Sequence, residues 1–496
     1  MPSCCCAAGP AVRSCGAAGP IGLRDCRWWG SGGVVGAPAM RRRRGRSMRS
    51  LANKVALSCV TWLTVRFARR PLRLFWASHF RRDLLCYDLP SFQLVIGNSR
   101  DAVQRVLVRG AAQYPKSRVM KPLLSPVIGR GLFASEDPDV ATIRRMFVRA
   151  IAQVDDEAVV AASFRLLEEY KARWRRDGLL KRLPVSAEMS RLTVDVVSEC
   201  LFRMRFTEAE SAAFTRLFFS YQKLSSPLRL FPWVGKSVFA PIRRFRQKRV
   251  AERMRALIRN RFVHALRDDS SPAASAPFAR AVAERERTGE APLSDERLLD
   301  EVAVMLLAGH ETSASAMSWL LRELAGNEAL QQRLRQDMQA SGAPDTRAAS
   351  EASLLKSLIN EVLRLYPPIP IYPRDATQAD TIEGRQIKAG AFVLVSPWLI
   401  HRHAELWGDP LSFNPDRFRT PSSADAVNRF MPFGSGPRAC PGSRFAMAEM
   451  QALVSGIVQA FDLRPVKEPV AQPLGNLTTR PDREIHVTLE PLPGAG

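Results

Sequence analysis

Apolar side chains recur at helical spacing through most of the chain from residue 84 onward, with polar residues between them. A spacing of three and four residues places apolar side chains on one face of a helix, and such a face packs against a core. The pattern predicts helices over 99–109, 140–150, 158–176, 187–202, 214–225, 243–266, 294–326 and 353–365. Short β-branched or aromatic runs predict strands over 92–96, 391–396 and 485–490. Residues 84–496 are therefore expected to form one large, mainly α domain with small β-sheets.

The first 50 residues have no apolar periodicity, and they contain nine Arg and one Asp. This composition predicts a disordered basic leader that is rich in Cys and Arg. Three alternatives remain open. The leader contacts phosphates or lipid headgroups, it is the start of a transit peptide, or translation begins at Met40 or Met48.

Residues 51–83 form a basic amphipathic segment. Its apolar stretch over 55–65 is too short for a transmembrane helix, which needs about 20 apolar residues. The segment either lies on a membrane surface or docks on the protein core. A cytoplasmic location is expected, with peripheral membrane contact as an option and no transmembrane helix.

Charge and cysteine content narrow the class of protein only partly. The net charge of +25 fits nucleic acid, an anionic membrane or an acidic protein as a partner. Five of the nine Cys lie in the first 26 residues, and Cys440 stands alone after Cys200. This uneven spacing argues against a secreted disulfide framework and for a reducing compartment.

The segment of the sequence that most clearly indicates a chemical function is a Gly-rich loop around Cys440. Residues 430–450 read FMPFGSGPRACPGSRFAMAEM, and an apolar helical pattern begins at Phe445. Backbone N–H groups and a helix N-terminus stabilise a thiolate placed at such a junction. Gly434 and Gly442 let the backbone wrap closely around a bulky planar group, and Arg438 offers a guanidinium to a carboxylate.

The pattern F-x-x-G-x-R-x-C-x-G resembles the loop of the cytochrome P-450 superfamily of haem-thiolate monooxygenases. The resemblance covers about residue 84 to the end and implies a single cytochrome P-450-type domain that binds haem b. It implies that Cys440 is the thiolate ligand of the haem iron. Phe433 would pack near the sulfur, and Arg438 would hold a haem propionate.

A second motif is E-x-x-R at Glu361 and Arg364, which share one helix face and can pair. Apolar neighbours suggest that this pair is buried. The resemblance adds Arg417, within the sequence FNPDRF, as a third member. We expect the three residues to form a structural triad that braces the haem side of the domain.

A third motif, Ala308-Gly309-His310-Glu311-Thr312, lies in the long predicted helix over 294–326. Gly309 and a Thr that bonds back to a carbonyl would loosen the helix and open room for a small molecule. The motif resembles the distal-helix motif A-G-x-[DE]-T, with Ala308 and Gly309 beside the haem. Thr312 would then hydrogen-bond dioxygen or its water, and Glu311 would feed protons inward.

Two further arginines are assigned through the resemblance. Arg374 occupies a position that commonly reaches a haem propionate. Arg144 matches the basic helix motif W-x-x-x-R, although Val140 replaces the usual Trp. The alternative for both arginines is a solvated face or an ion pair with a residue four positions away.

The resemblance predicts a monomeric monooxygenase that inserts one atom of O2 into a lipophilic small molecule. Electrons would come from a separate donor, a ferredoxin, a flavodoxin or a reductase, because no flavin or nicotinamide motif accompanies the Cys loop. The alternatives are other chemistry on the same scaffold and a basic nucleic-acid or membrane-binding protein. Charge alone explains none of the ordered motifs, so nucleic acid is not expected as a partner.

Overall fold

The computed structural model describes residues 70–89, 92–135, 138–225, 240–340, 353–419 and 429–493. The predicted leader, residues 1–50, and the apolar stretch over 55–65 lie outside the described residues. Most of the segment over 51–83 also lies outside them.

Helices dominate the described chain, as the apolar periodicity predicts. Eleven of the helices in the described ranges have at least eight residues. They are α1 (Lys121–Ile128), α2 (Val140–Ala152), α3 (Asp156–Arg176), α4 (Val185–Phe202), α5 (Glu208–Leu224), α6 (Ala240–Ile258), α7 (Pro277–Arg287), α8 (Asp295–Ala325), α9 (Glu328–Ala340), α10 (Leu354–Leu365) and α11 (Ser443–Ala460). The prediction of a mainly α domain with small sheets is confirmed.

Shorter helical turns connect these helices and strands. The α-helical turns are Arg100–Val103, His264–Arg267 and Pro397–Ile400, and the 3-10 turns are Pro71–Leu74, Ala77–Phe80, Leu179–Lys181, Pro272–Ser275, Pro415–Phe418 and Gly436–Arg438. Two segments have π-helical hydrogen bonding, Gln104–Arg109 and Arg259–Val263.

The strands are short and form four small sheets in the described chain. They are β1 (Leu84–Leu89), β2 (Phe92–Gly97), β3 (Leu183–Pro184), β4 (Tyr372–Asp375), β5 (Asp380–Ile382), β6 (Arg385–Ile387), β7 (Phe392–Val395), β8 (Phe461–Pro465), β9 (Pro473–Gly475), β10 (Thr479–Pro481) and β11 (His486–Pro491). The largest sheet has the order β1-β2-β7-β4, and β2 pairs with β7 in parallel. A second sheet has the order β3-β11-β8, and β5-β6 and β9-β10 form two-stranded sheets.

Helix α8 passes through the core, and most of its residues are buried. It begins after Ser294, whose Oγ accepts a hydrogen bond from Arg297 N at 3.2 Å and so caps the first turn. Helix α4 packs closely along α8 at Gly309. A Cβ at Gly309 would lie 2.7 Å from Val197 Cγ2, so only glycine allows this approach.

The residues just before the predicted domain start pack on the domain. Leu72 is 5% exposed and belongs to a cluster with Ile96 and Leu399. Arg70 Nη2 also donates to Asp482 Oδ2 at 2.6 Å. Within the described ranges, no helix combines the length and the apolar character that crossing a bilayer requires.

Candidate active site

A cavity of about 700 Å³ lies between α8 and the Cys440 loop. Its volume is within the range of pockets that bind small molecules and cofactors. Its wall is mainly apolar and comes from several elements: Met305, Ala308, Gly309, Glu311, Thr312 and Ser313 of α8; Phe433, Gly434, Arg438, Cys440 and Gly442 of the loop; Leu124, Val127, Leu132, Phe218, Tyr221, Ile369, Ile371, Tyr372, Asn476 and Thr478 elsewhere. Residues that are far apart in the sequence therefore meet in one cavity, within the described chain.

The loop that carries Cys440 is held by its own backbone and by two left-handed glycines. Cys440 N donates to Phe433 O at 2.8 Å, and Gly434 and Gly436 have φ of +77° and +71°. A Cβ at Gly436 would lie 2.1 Å from Leu107 O, so this glycine allows the loop to sit against the 104–109 segment. These contacts fix the direction in which the Cys440 side chain leaves the loop.

Cys440 is exposed, and it lines the cavity. Protein atoms nevertheless surround its site, and this burial raises the pKa of the thiol. The Gly442 backbone N–H and the Arg144 charge act in the opposite direction and lower that pKa. Gly442 is the N-cap of α11, so the expected helix N-terminus does lie beside the thiol.

The predicted cofactor-binding arginines have different surroundings. Arg438 lines the cavity, and its Nη1 donates to Ala111 O at 2.8 Å. Arg144 also lines the cavity, and its Nη2 donates to Ala439 O at 2.6 Å. Arg374 lies on β4, where its Nη1 donates to Pro373 O at 2.9 Å, and it is not among the residues that line the cavity. Its neighbour Tyr372 lines the cavity instead.

The α8 motif places Thr312 in the cavity wall without breaking the helix. Thr312 Oγ1 donates to Ala308 O at 2.8 Å, which is the bond back to a carbonyl that the sequence suggested. The helix is continuous from Asp295 to Ala325, so the expected loosening at Gly309 does not take the form of a break. Gly309 lines the cavity, and it also lets Val197 of α4 approach α8 closely.

Glu311 is buried, and side chains from two distant segments hold its carboxylate. Its Oε1 accepts hydrogen bonds from Gln222 Nε2 at 2.6 Å and from Thr478 Oγ1 at 2.7 Å. Gln222 lies at the end of α5, and its Oε1 accepts from Arg480 Nη1 at 3.2 Å. The carboxylate of Glu311 is thus linked to the helix that borders the cavity.

Glu361, Arg364 and Arg417 meet in one buried cluster. Arg364 donates to Glu361 through Nε at 2.7 Å and Nη2 at 2.8 Å, and Arg417 Nε donates to Glu361 Oε1 at 3.1 Å. The remaining donors of Arg364 reach the carbonyls of His401, Pro410 and Ser412. A buried ion pair is tolerated when further hydrogen bonds satisfy it, and this one meets that condition.

Sequence reasoning missed Tyr372, Gln222 and Thr478. Tyr372 lies close enough to Cys440 and Arg374 for their charges to affect its pKa, which burial raises far above the ordinary value. Gln222 and Thr478 contact Glu311 across 89 and 167 positions of sequence. No local sequence pattern predicts such contacts, because they depend on how helices and loops pack in the fold.

Comparison with known proteins relates this site to one family. A family model described as Cytochrome P450 matches residues 61–488. Cyclooctatin synthase from Streptomyces melanosporofaciens is 28% identical over 430 residues, which are 84% of this chain and 91% of that protein. Cytochrome P450 4X1 from Mus musculus is 28% identical over 415 residues, 77% of each chain.

A stronger but shorter similarity covers less than half of the chain. Taurochenodeoxycholic 6 alpha-hydroxylase from Sus scrofa is 34% identical over 206 residues, which are 40% of this chain and 41% of that protein. In this alignment the chain spans about two fifths of its relative's length.

Proposed function

Because the chain belongs to the cytochrome P450 family, we propose that it is a haem-thiolate monooxygenase in which Cys440 binds the iron of haem b. The observation that carries the proposal is the position of Cys440. Its exposed thiol lines a cavity whose wall also contains Thr312. The other two cysteines of the described chain, Cys86 and Cys200, do not line this cavity.

The residues around the cavity fit haem. Phe433, Gly434 and Gly442 line the same cavity as the thiol, and Arg144 lies close enough to Cys440 and Arg438 for their charges to interact. These cations suit an anionic, propionate-bearing ligand. When bound, haem supplies the activation of O2, so that one oxygen atom enters the substrate and the other leaves as water.

Thr312 and Glu311 are suited to hold and move protons. Thr312 gives its hydroxyl hydrogen to Ala308 O, so its lone pairs are left to accept a hydrogen bond from water in the cavity. Glu311 lines the same wall, one residue away.

We expect Thr312→Ala to lower the fraction of consumed O2 that appears in product. Ser318→Ala is the matched control, because Ser318 Oγ makes the same bond back to a carbonyl, Ala314 O at 2.7 Å, away from the cavity wall.

The substrate is proposed to be a lipophilic small molecule, since apolar side chains dominate the cavity wall. Fatty acids, terpenoids and steroid-like molecules all satisfy this description. The name of the porcine relative, Taurochenodeoxycholic 6 alpha-hydroxylase, refers to a hydroxylation, which is the type of reaction proposed here. Electrons are proposed to arrive from a separate redox protein.

The deciding experiment is a carbon monoxide difference spectrum of the reduced, haem-loaded protein. The wild type should show the long-wavelength band of thiolate ligation, and Cys440→Ala should lose it. Cys86→Ala is the matched control and should keep the band, because Cys86 lies on β1. A thiolate-type band that survives in Cys440→Ala would show that another residue binds the iron.

A further inference from the structure

One face of the four-stranded sheet forms an apolar side of the cavity. Residues that pair directly on neighbouring strands point to the same face of a sheet. The paired positions that line the cavity are Leu94 and Ile96 of β2, Phe392 and Leu394 of β7, and Pro373 of β4. A molecule that lies along this face is therefore in contact with apolar side chains over most of its length.

Tyr87 adds a polar group to this face at the β1 edge of the sheet. It pairs with Leu94, so it points to the same side, and it lines the cavity. Tyr87 is 37% exposed, and Trp76, which also lines the cavity, is 63% exposed. The cavity therefore reaches the protein surface at the β1 edge.

The opposite edge of the sheet, β4, lies next to the cysteine loop. The hydroxyl oxygen of Tyr372 on β4 is 3.7 Å from the position that a Cβ would take at Gly434. Because the strand order is β1-β2-β7-β4, the two edges are three strand spacings apart. With a spacing of about 4.8 Å, a molecule must be at least about 14 Å long to reach from Tyr87 to the cysteine loop.

The hydrogen bonds around His79 leave the hydroxyl hydrogen of Tyr87 available to a ligand. Trp76 N donates to His79 Nδ1 at 3.1 Å, so Nδ1 carries no proton. Burial lowers the pKa of His79, and the neutral ring therefore has its hydrogen on Nε2. Nε2 then donates to the Tyr87 oxygen at 3.3 Å. For the hydrogen of Tyr87 itself, the described residues supply no acceptor.

The charges near Tyr87 favour an anionic ligand. Burial raises the pKa of Tyr87 and the Arg82 charge lowers it, so this guanidinium lies near the phenol. Arg82 is exposed and forms no ion pair with the residues that the structure describes. Of the acidic neighbours, Asp88 is already paired with a lysine, and Asp83 Oδ1 lies 3.8 Å from His403 Nε2. A carboxylate suits a site that combines a hydroxyl donor with a free guanidinium.

We propose that the β1 edge of the cavity binds the carboxylate of a lipophilic carboxylic acid. Tyr87 donates its hydroxyl hydrogen to a carboxylate oxygen, Arg82 supplies the opposite charge, and the apolar part extends along the sheet toward Cys440. A few placed polar groups in an apolar pocket fix the orientation of a ligand, so carbons far from the carboxylate are directed to the cysteine loop. The inference rests on the proposed function, because it names the substrate class of the same cavity.

Calorimetric titration of the haem-loaded protein with tetradecanoic acid tests the carboxylate site without turnover. Tyr87→Phe should weaken binding about three- to tenfold, because a hydrogen bond at a partly exposed position is lost. Tyr366→Phe is the matched control and should bind as the wild type does. Its hydroxyl donates to Glu323, and Tyr366 is not among the described residues that line the cavity. An unchanged affinity in Tyr87→Phe would overturn the proposal.

Tetradecanol separates the hydrogen bond from the charge. Tyr87→Phe should weaken binding of the alcohol as well, since its oxygen also accepts a hydrogen bond. Arg82→Gln should weaken binding of the acid alone, by about two- to fivefold at low salt, and this effect should shrink as salt is raised. Arg287→Gln removes an exposed charge on α7 and should leave both affinities unchanged. Equal losses in Arg82→Gln and Arg287→Gln would contradict a carboxylate site at the β1 edge.

Failure of the proposed function has a different result. Wild-type protein would then lack the carbon monoxide band, whereas the calorimetric affinities do not depend on that band. A wild-type protein that shows the band, yet binds tetradecanoic acid no more tightly than Tyr87→Phe does, would refute the carboxylate site alone.

Discussion

Arg144 and Arg145 are neighbours on α2, but only Arg144 contacts the cysteine loop. It donates to Ala439 O, and its charge lowers the pKa of the Cys440 thiol. We expect Arg144→Gln to lose haem more readily, because both the loop contact and the support for the thiolate disappear. The ratio of Soret to protein absorbance after gel filtration measures this. Arg145→Gln is the matched control, since Arg145 is exposed; equal haem loss in both variants would contradict the assignment.

Glu301 of α8 illustrates how a single buried carboxyl affects stability. It is 0% exposed and accepts a hydrogen bond from Leu132 N at 3.0 Å, and burial raises its pKa to about 7. The folded protein therefore holds a proton that the unfolded chain releases near pH 4.5. Because the folded state binds more protons in this window, the contribution of Glu301 to stability falls as pH rises from about 5 to about 7.

The variant Glu301→Gln should consequently gain stability relative to wild type over that pH range, by at most about 3 kcal/mol. Denaturant unfolding at several pH values measures the difference. Glu296→Gln, at a position that is largely exposed on the same helix, should show a much flatter pH dependence. A constant difference between Glu301→Gln and wild type from pH 5 to pH 8 would contradict the assignment.

At the scale of elements, Glu361 joins α10 to the Pro415–Phe418 turn. Removing its charge leaves Arg364 buried without a carboxylate, so Glu361→Gln should cost about 3–5 kcal/mol of unfolding free energy. Arg333→Ala is the control, because the Arg333–Asp416 pair is half-exposed and should be worth less than about 1 kcal/mol. Denaturant titration compares the two. Similar losses would show that burial of the cluster is unimportant.

The contact between the cysteine loop and the 104–109 segment depends on Gly436. Gly436→Ala would combine a left-handed backbone with a Cβ 2.1 Å from Leu107 O, so both stability and haem content should fall. Gly390→Ala isolates the backbone cost of about 1–2 kcal/mol, because Gly390 has φ of +79° and no atom within 4 Å of its Cβ position. Thermal unfolding of the two variants should separate them. Equal melting temperatures would show that the close approach to Leu107 is unimportant.

Periodicity in the sequence was a good guide to long helices and a poor one to short elements. The predicted helix over 294–326 is found as Asp295–Ala325, because its apolar pattern is long and Ser294 caps it. Helix α1, with the sequence KPLLSPVI, was not predicted, because a proline inside a segment, here Pro126, normally ends or kinks a helix. Strands β5 and β6 have three residues each, too few for an alternating pattern.

The residues of the site also differ in whether the sequence alone can reveal them. Cys440, Thr312 and Glu361 belong to local motifs whose spacing is visible in the sequence. Gln222 and Thr478 reach Glu311 through contacts between helices or loops that are far apart in the chain. Such contacts require the packing of the whole domain, and no single segment encodes them.

At the scale of the whole molecule, the net charge of +25 should influence electron transfer. Opposite charges accelerate encounter by about 10- to 1000-fold at low salt, and this attraction is screened beyond about 10 Å at 0.1 M salt. We expect the rate of reduction by an acidic ferredoxin to fall at least about tenfold as salt is raised. Stopped-flow measurement with an uncharged donor provides the control. A rate that is independent of salt would contradict electrostatic steering.

The pairing of β2 with β7 and of β3 with β11 joins segments separated by some three hundred positions. Ser186 N donates to Glu484 Oε1 and Arg438 Nη1 donates to Ala111 O across similar separations. Contacts between residues that are so far apart in the sequence form late and slowly during folding. During synthesis on the ribosome, the cavity can therefore form only after nearly the whole chain has been made. Until then its apolar side chains remain accessible to chaperones and prone to aggregation.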